Sequence, residues 1–101
     1  MVKKLQRNQD LYKKALFLSA KRALPENELI LRNFAENVVQ TTYNDKKLHS
    51  FITLIDKLDD LTLYDVITNY SNSKDLSIEL QEIVGDINKF IKNSIKYNKS
   101  P

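Results

Sequence analysis

The residue types that carry out chemistry are scarce in this sequence. His49 is its only histidine, and there is no cysteine. A nucleophile–base triad and a zinc site each need more such groups, so we predict neither. Gly85 is the only glycine, which excludes a glycine-rich phosphate loop. We therefore predict that the protein is not an enzyme, with no catalytic residue, no metal and no cofactor.

Four aspartates, Asp56, Asp59, Asp60 and Asp65, lie close together in the sequence. A calcium loop needs closely alternating oxygen ligands around a glycine turn, and this spacing provides neither. A solvated helix face is the expected structure for these carboxylates.

Basic residues are concentrated near the two ends. Residues 1–24 carry seven Lys and Arg side chains against one Asp, and no acidic residue follows Lys89. Such ends can bind phosphates or an anionic membrane surface, or simply solubilise the chain. Lysine outnumbers arginine, whereas a helix that reads bases usually carries Arg, Asn or Gln in a row. Nucleic acid is therefore not the expected partner.

The most regular apolar pattern lies near the carboxyl end. Its apolar residues recur in steps of one, three and four, which is typical of one face of an α-helix. They are Leu76, Leu80, Ile83, Val84, Ile87, Phe90, Ile91 and Ile95. A single helix cannot bury this stripe, so partner helices are required.

Three further amphipathic segments precede this one. With one Gly and two Pro in 101 residues, the composition favours helices over strands. We predict an all-α fold, an antiparallel up-down four-helix bundle forming one monomeric domain over residues 1–101. Its helices are expected at roughly 4–21, 26–42, 46–70 and 76–97.

The helix ends are predicted from capping residues. Asn27 and Asp45 are expected to cap the second and third helices, and Ser77 or Asp75 the fourth. The third helix is predicted to be continuous but disturbed at Asp59–Asp60. The alternative is a break there, with Asp60 capping the second piece.

Gly85 lies on the polar back of the last helix, where glycine costs about 1 kcal/mol relative to alanine. It indicates either close approach of a partner backbone or a tolerated surface defect.

The carboxyl end is the predicted partner-binding site, with Lys92, Lys96, Tyr97 and Lys99 as its residues. In an antiparallel bundle these residues share a pole with Lys3, Lys4 and Arg7. We expect a cytoplasmic protein with possible peripheral contact at the inner membrane face, since there is no cysteine, signal peptide or membrane span.

Several stretches resemble the immunity proteins of pediocin-like (class IIa) bacteriocins, the enterocin A immunity family. The resembling stretches are Asp10-Leu11-Tyr12, Asn27-Glu28-Leu29-Ile30-Leu31, and the run from Leu54 to Leu80 that leads into the last helix. The resemblance implies a cytoplasmic four-helix bundle from a Gram-positive bacterium. Its function would be to protect the producer by recognising the mannose phosphotransferase permease, a membrane permease complex, once bacteriocin has engaged it. The competing class is a small basic regulatory or nucleic-acid-binding module, such as an antitoxin or a phage-derived binder.

Overall fold

The computed structural model describes residues 9–98 of the chain, and the side chains of residues 9–94. All regular structure in this range is helical, so the predicted all-α class is confirmed. The elements are α1 (Gln9–Ala20), α2 (Pro25–Phe34), a π-helical turn (Ala35–Val39), α3 (Gln40–Thr42), α4 (Asp45–Lys57), α5 (Asp60–Thr68), a 3₁₀ turn (Tyr70–Ser73) and α6 (Ile78–Asn98).

The described residues form five helical rods rather than the four predicted. The π-helical turn joins α2 to α3 without interruption, so residues 25–42 make one rod, close to the predicted 26–42. The predicted start of the first helix, at residues 4–8, lies outside the described residues. This helical architecture is compatible with the predicted antiparallel bundle, and the up-down order of the rods stays a prediction.

The predicted third helix is divided into α4 and α5. Leu58 and Asp59 adopt extended backbone conformations between them, and the Asp59 side chain accepts a hydrogen bond of 2.9 Å from the backbone N–H of Thr62. This bond satisfies one of the free N–H groups at the start of α5 and favours a new helix over continuation of the old one. The expectation of a continuous helix was wrong, and so was the choice of Asp60 as the cap in the alternative.

Two other predicted caps differ by a few residues. Asn44, rather than Asp45, caps α4 by accepting a 2.9 Å hydrogen bond from the N–H of Lys47. Pro25 occupies the first turn of α2 after extended Leu24, and this leaves Asn27 inside the helix. Ser77, one of two candidates, caps α6 through a 3.3 Å bond from the N–H of Leu80.

An aromatic cluster lies at the centre of the core. The ring centroid of Phe34 lies 5.9 Å from that of Tyr43, 5.7 Å from that of Phe51 and 5.6 Å from that of Phe90. These residues come from α2, the α3–α4 connection, α4 and α6, so the cluster joins most of the chain. Phe34 meets Tyr43 and Phe90 edge to face, and such pairs contribute about 0.5–1.5 kcal/mol each beyond their buried area.

The apolar stripe of α6 faces this core as predicted. Leu80, Ile83, Val84 and Ile87 are buried, and Leu76, Phe90 and Ile91 are partly buried, while the side chain of Ile95 lies outside the described residues. Within residues 9–98, no helix combines the length and the apolarity needed to cross a bilayer.

Candidate partner-binding site

Two open grooves lie side by side along α6. The first, the Tyr43 groove, has a volume of about 300 Å³, and the second, the Tyr70 groove, about 420 Å³. Asp86 and Lys89 line both grooves and so form the ridge between them. The other residues of the Tyr43 groove are Val38, Thr42, Tyr43, Lys47, Phe90 and Asn93. Those of the Tyr70 groove are Tyr70, Gln81, Glu82, Gly85, Asn88 and Lys92.

A hydrogen-bonded cluster around Asp86 lies in the Tyr43 groove. The hydroxyl of buried Tyr43 donates a 2.6 Å hydrogen bond to Oδ2 of Asp86, and Nζ of Lys47 lies 3.1 Å from the same oxygen. Lys47 also pairs with Glu82 at 3.3 Å, and its ammonium lies 4.7 Å from the centre of the Tyr43 ring. The cluster ties the start of α4 to the middle of α6.

The surroundings of this cluster determine its protonation. Burial raises the pKa of Tyr43, and the bond to Asp86 and the nearby carboxylates raise it further, so the phenol stays protonated. Burial lowers the pKa of Lys47, but its bonds and charge interactions with Asp86 and Glu82 outweigh this and raise the pKa overall. The cluster is therefore a fixed arrangement of a neutral donor, a cation and carboxylates.

The π-helical turn shapes the wall of the Tyr43 groove. It widens the helix just before Thr42, and Val38 from this turn lines the groove. The hydroxyl of Thr42 donates a 2.8 Å bond to the carbonyl oxygen of Val38, which satisfies an acceptor in the widened turn.

Gly85 has a structural explanation in the Tyr70 groove. A Cβ atom at this position would lie 3.4 Å from Cε1 of Tyr70, so the tyrosine ring packs directly over the glycine. The sequence suggested either a partner backbone or a surface defect here, and within the structure the neighbour is instead the protein's own Tyr70 ring. Tyr70 remains about half exposed and forms one side of the groove.

Asn88 is a buried polar residue of α6. Its side-chain amide donates a 2.9 Å hydrogen bond to the carbonyl oxygen of Ile67. This carbonyl lies in the last turn of α5, where backbone acceptors lack helical partners. The bond fixes α5 against α6 beside the Tyr70 groove.

One of the four predicted partner-binding residues lies at this site. Lys92 is exposed on α6 and lines the Tyr70 groove. Lys96 and Tyr97 belong to α6, but their side chains lie outside the described residues, as does the whole of Lys99. Lys3, Lys4 and Arg7 also lie outside, so the predicted basic pole stays a prediction.

The aspartates singled out in the sequence separate into two environments. Asp56, Asp59 and Asp65 are exposed as expected, but the Asp60 side chain is only 12% exposed. Its carboxylate accepts hydrogen bonds from the backbone N–H groups of Ala23 and Leu24 and pairs with Arg22 at 3.3 Å. Asn27 donates to both the carboxylate and the carbonyl oxygen of Asp60. Asp60 therefore holds the α1–α2 connection against α5.

The remaining sequence candidates were the single histidine and a metal-binding group. His49 is exposed on α4. Between residues 9 and 98, no group of three or more His, Cys, Asp or Glu side chains is arranged to hold a metal ion.

Sequence reasoning missed Tyr43, Lys47 and Asp86. Asp86 and Tyr43 are 43 residues apart, so no local pattern connects them. A usable signal was an acidic residue in the middle of α6, three residues before Lys89, with a tyrosine just before the start of α4.

Comparison with known proteins identifies a family. A model of the family described as Sdh5, flavinator of succinate dehydrogenase, matches residues 13–91, which is more than half of the chain. No curated protein and no solved structure gives a significant match. The matched range includes most of α1 and all of the Asp86 cluster, and it ends one residue before Lys92.

This match contradicts the resemblance to bacteriocin immunity proteins, and the predicted protective function was wrong. Two predictions that followed from the resemblance were wrong as well. They are the permease complex as the partner and a role in resistance to antimicrobial peptides. The alternative, a small basic regulatory or nucleic-acid-binding module, is not supported either. The resemblance depended on chain length and helix lengths, which unrelated helical bundles share because each must bury similar amphipathic stripes.

Proposed function

The chain belongs to the Sdh5 family, the flavinators of succinate dehydrogenase, and we propose that it promotes attachment of flavin to the flavoprotein subunit of that enzyme. The observation that carries the proposal is the family match over residues 13–91, which includes the side chains of the Asp86 cluster. In this function the chain is an assembly factor that binds the flavoprotein subunit.

The two grooves along α6 are the proposed binding surface. Both are open to solvent along the helix, whereas small-molecule pockets usually enclose most of their ligand. Their walls combine aromatic rings, Tyr70 and Phe90, with exposed lysines. Aromatic anchors surrounded by polar groups are typical of protein interfaces.

We propose that the chain acts by binding and supplies no catalytic group. Tyr43, Lys47 and Asp86 are bonded to one another, and the raised pKa of Tyr43 makes its phenol a poor proton donor to a substrate. Their role in the proposal is to hold α4 and α6 in a fixed relation, so that the grooves keep their shape.

The carboxyl-terminal residues extend the proposed surface. Lys92 lines the Tyr70 groove, and Lys96, Tyr97 and Lys99 follow it in the sequence. We include these four residues in the contact with the flavoprotein subunit, made by a monomeric chain in the cytoplasm. Truncation after Asn93 tests this extension, because it removes three of the four residues and leaves the Asp86 cluster intact.

The test of the function is coexpression with the flavoprotein subunit in a strain that lacks its own flavinator. Covalently attached flavin stays on the denatured subunit and fluoresces in a gel. We expect a strong fluorescent band with the chain and a weak one with an unrelated helical protein of similar size. Bands of equal intensity, at equal amounts of flavoprotein, overturn the proposal.

A further inference from the structure

On the outward face of α6, the acidic side chains of the grooves form ion pairs within the protein, whereas the groove lysines of this helix have no such pair among the described side chains. Asp86 and Glu82 both pair with Lys47, so their charge is partly neutralised within the protein. Lys89 and Lys92 are exposed, and neither has an ion-pair partner among the residues with described side chains. The carboxyl side of the grooves therefore carries two uncompensated positive charges.

The two lysines act on the same part of the surface. They are three residues apart on a helix, which places their Cβ atoms about 5–6 Å from each other. Lys89 lines both grooves and Lys92 lines the Tyr70 groove. One acidic segment crossing the ridge can therefore reach both ammonium groups.

We propose that Lys89 and Lys92 bind an acidic segment of the flavoprotein subunit, with carboxylates of that segment pairing with the two lysines across the ridge. This inference rests on the proposed function and names the chemistry of the partner's contact. Glu82 and Asp86 line the Tyr70 groove together with the two lysines, and they precede Lys89 by seven and three residues. A continuous polyanion such as a nucleic acid is repelled by these carboxylates, whereas a protein segment can place single carboxylates beside the lysines alone.

The experiment measures binding of the purified chain to the purified flavoprotein subunit by calorimetry at low and moderate salt. The double variant K89E/K92E should weaken binding at least about tenfold, because each exposed pair is worth up to about fivefold and reversal adds repulsion. The affinity of the wild-type chain should fall more steeply with salt than that of the variant. The matched control is K13E/K14E, which reverses two exposed lysines of α1 that line neither groove.

A carbodiimide cross-linker gives a second readout, because it joins an amine to a carboxylate only when the two are in contact. We expect cross-links from Lys89 or Lys92 to Asp or Glu of the flavoprotein subunit, and their loss in K89R/K92R, which keeps both charges but removes the amines.

Three results overturn the inference. The first is equal affinity of the wild-type chain and K89E/K92E, and the second is an equal loss in the control, which would make net charge the cause. The third is displacement of the flavoprotein subunit by inorganic phosphate at matched ionic strength, which would assign the lysines to a phosphate ligand. Absence of binding by the wild-type chain is a separate outcome that overturns the proposed function itself.

Discussion

The hydroxyl of Tyr43 donates a 2.6 Å hydrogen bond to Oδ2 of Asp86 and so links the connection before α4 to the middle of α6. The ring of Tyr43 packs edge-on against Phe34 and Phe51. One side chain therefore belongs to the core through its ring and to the groove through its hydroxyl. The shape of the candidate site and the stability of the fold are connected at this residue.

Replacing Tyr43 with Phe tests this connection. The ring and its packing remain, while the bond to Asp86 is lost, so we expect the free energy of unfolding to fall by about 1–2 kcal/mol. Chemical denaturation measures the change. Tyr64→Phe is the matched control, because Tyr64 is exposed on α5, and it should stay within about 0.5 kcal/mol of wild type. Equal effects of the two substitutions would contradict the role of the bond.

The Asp60 carboxylate predicts a loss of stability in acid. Burial raises its pKa, but hydrogen bonds from Asn27 and from the N–H groups of Leu24 and Ala23, with the charge of Arg22, lower it overall below the ordinary 3.8. A folded-state pKa below the unfolded one adds stability above the unfolded pKa, and this stability is lost as the pH falls through the folded pKa.

The variant Asp60→Asn removes this contribution. At pH 7 we expect it to destabilise the protein by about 3 kcal/mol, because an amide donor then faces two N–H groups and Arg22 loses its partner. Urea denaturation between pH 7 and pH 2.5 should show the difference from wild type shrinking below about pH 4. Asp56→Asn, at an exposed position of α4, is the control. A difference that is constant over this pH range would rule out the carboxylate charge as its source.

The core positions of α6 predict two graded effects. Ile87 is fully buried, so Ile87→Ala should cost about 2–5 kcal/mol through lost burial and a cavity. Phe90 is partly buried and packs on Phe34, so we expect Phe90→Ala to cost about 3 kcal/mol, at the low end of the range for aromatic truncation. Guanidinium denaturation checks both. A cost below about 1 kcal/mol for Ile87→Ala would place this face of the helix outside the core.

Gly85→Ala should stabilise the fold by about 0.5–1 kcal/mol, because alanine favours helix over glycine. The added Cβ would lie 3.4 Å from Cε1 of Tyr70, which is ordinary van der Waals contact, and the half-exposed ring leaves it room. Thermal and chemical unfolding measure the gain. Destabilisation by Gly85→Ala would mean that the ring is held rigidly over the glycine.

The local sequence determined the helical content and the buried face of α6. The spacing of the apolar residues predicted the inward face of α6, which consists of Leu80, Ile83, Val84 and Ile87. The backbone geometry fixes the period of an α-helix, and apolar side chains that this period places on one face are buried together away from water. The local sequence also indicated Ser77 as one of two candidate caps of α6 for a similar reason, since capping acts over three residues.

Tertiary structure alone decided which polar residues meet. Asn27 was the expected cap of the second helix, and Asp60 was the cap in the alternative with a broken third helix. In the structure these two side chains bond to each other between α2 and α5, and the Asn88 side chain bonds to the backbone of Ile67. A side chain that can cap a helix locally can equally satisfy a distant backbone group, and the packing of the rods selects between them. The candidate site depends on such pairings, and chiefly on that of Tyr43 with Asp86. For this reason helix periodicity predicted the fold class but neither the grooves nor the family.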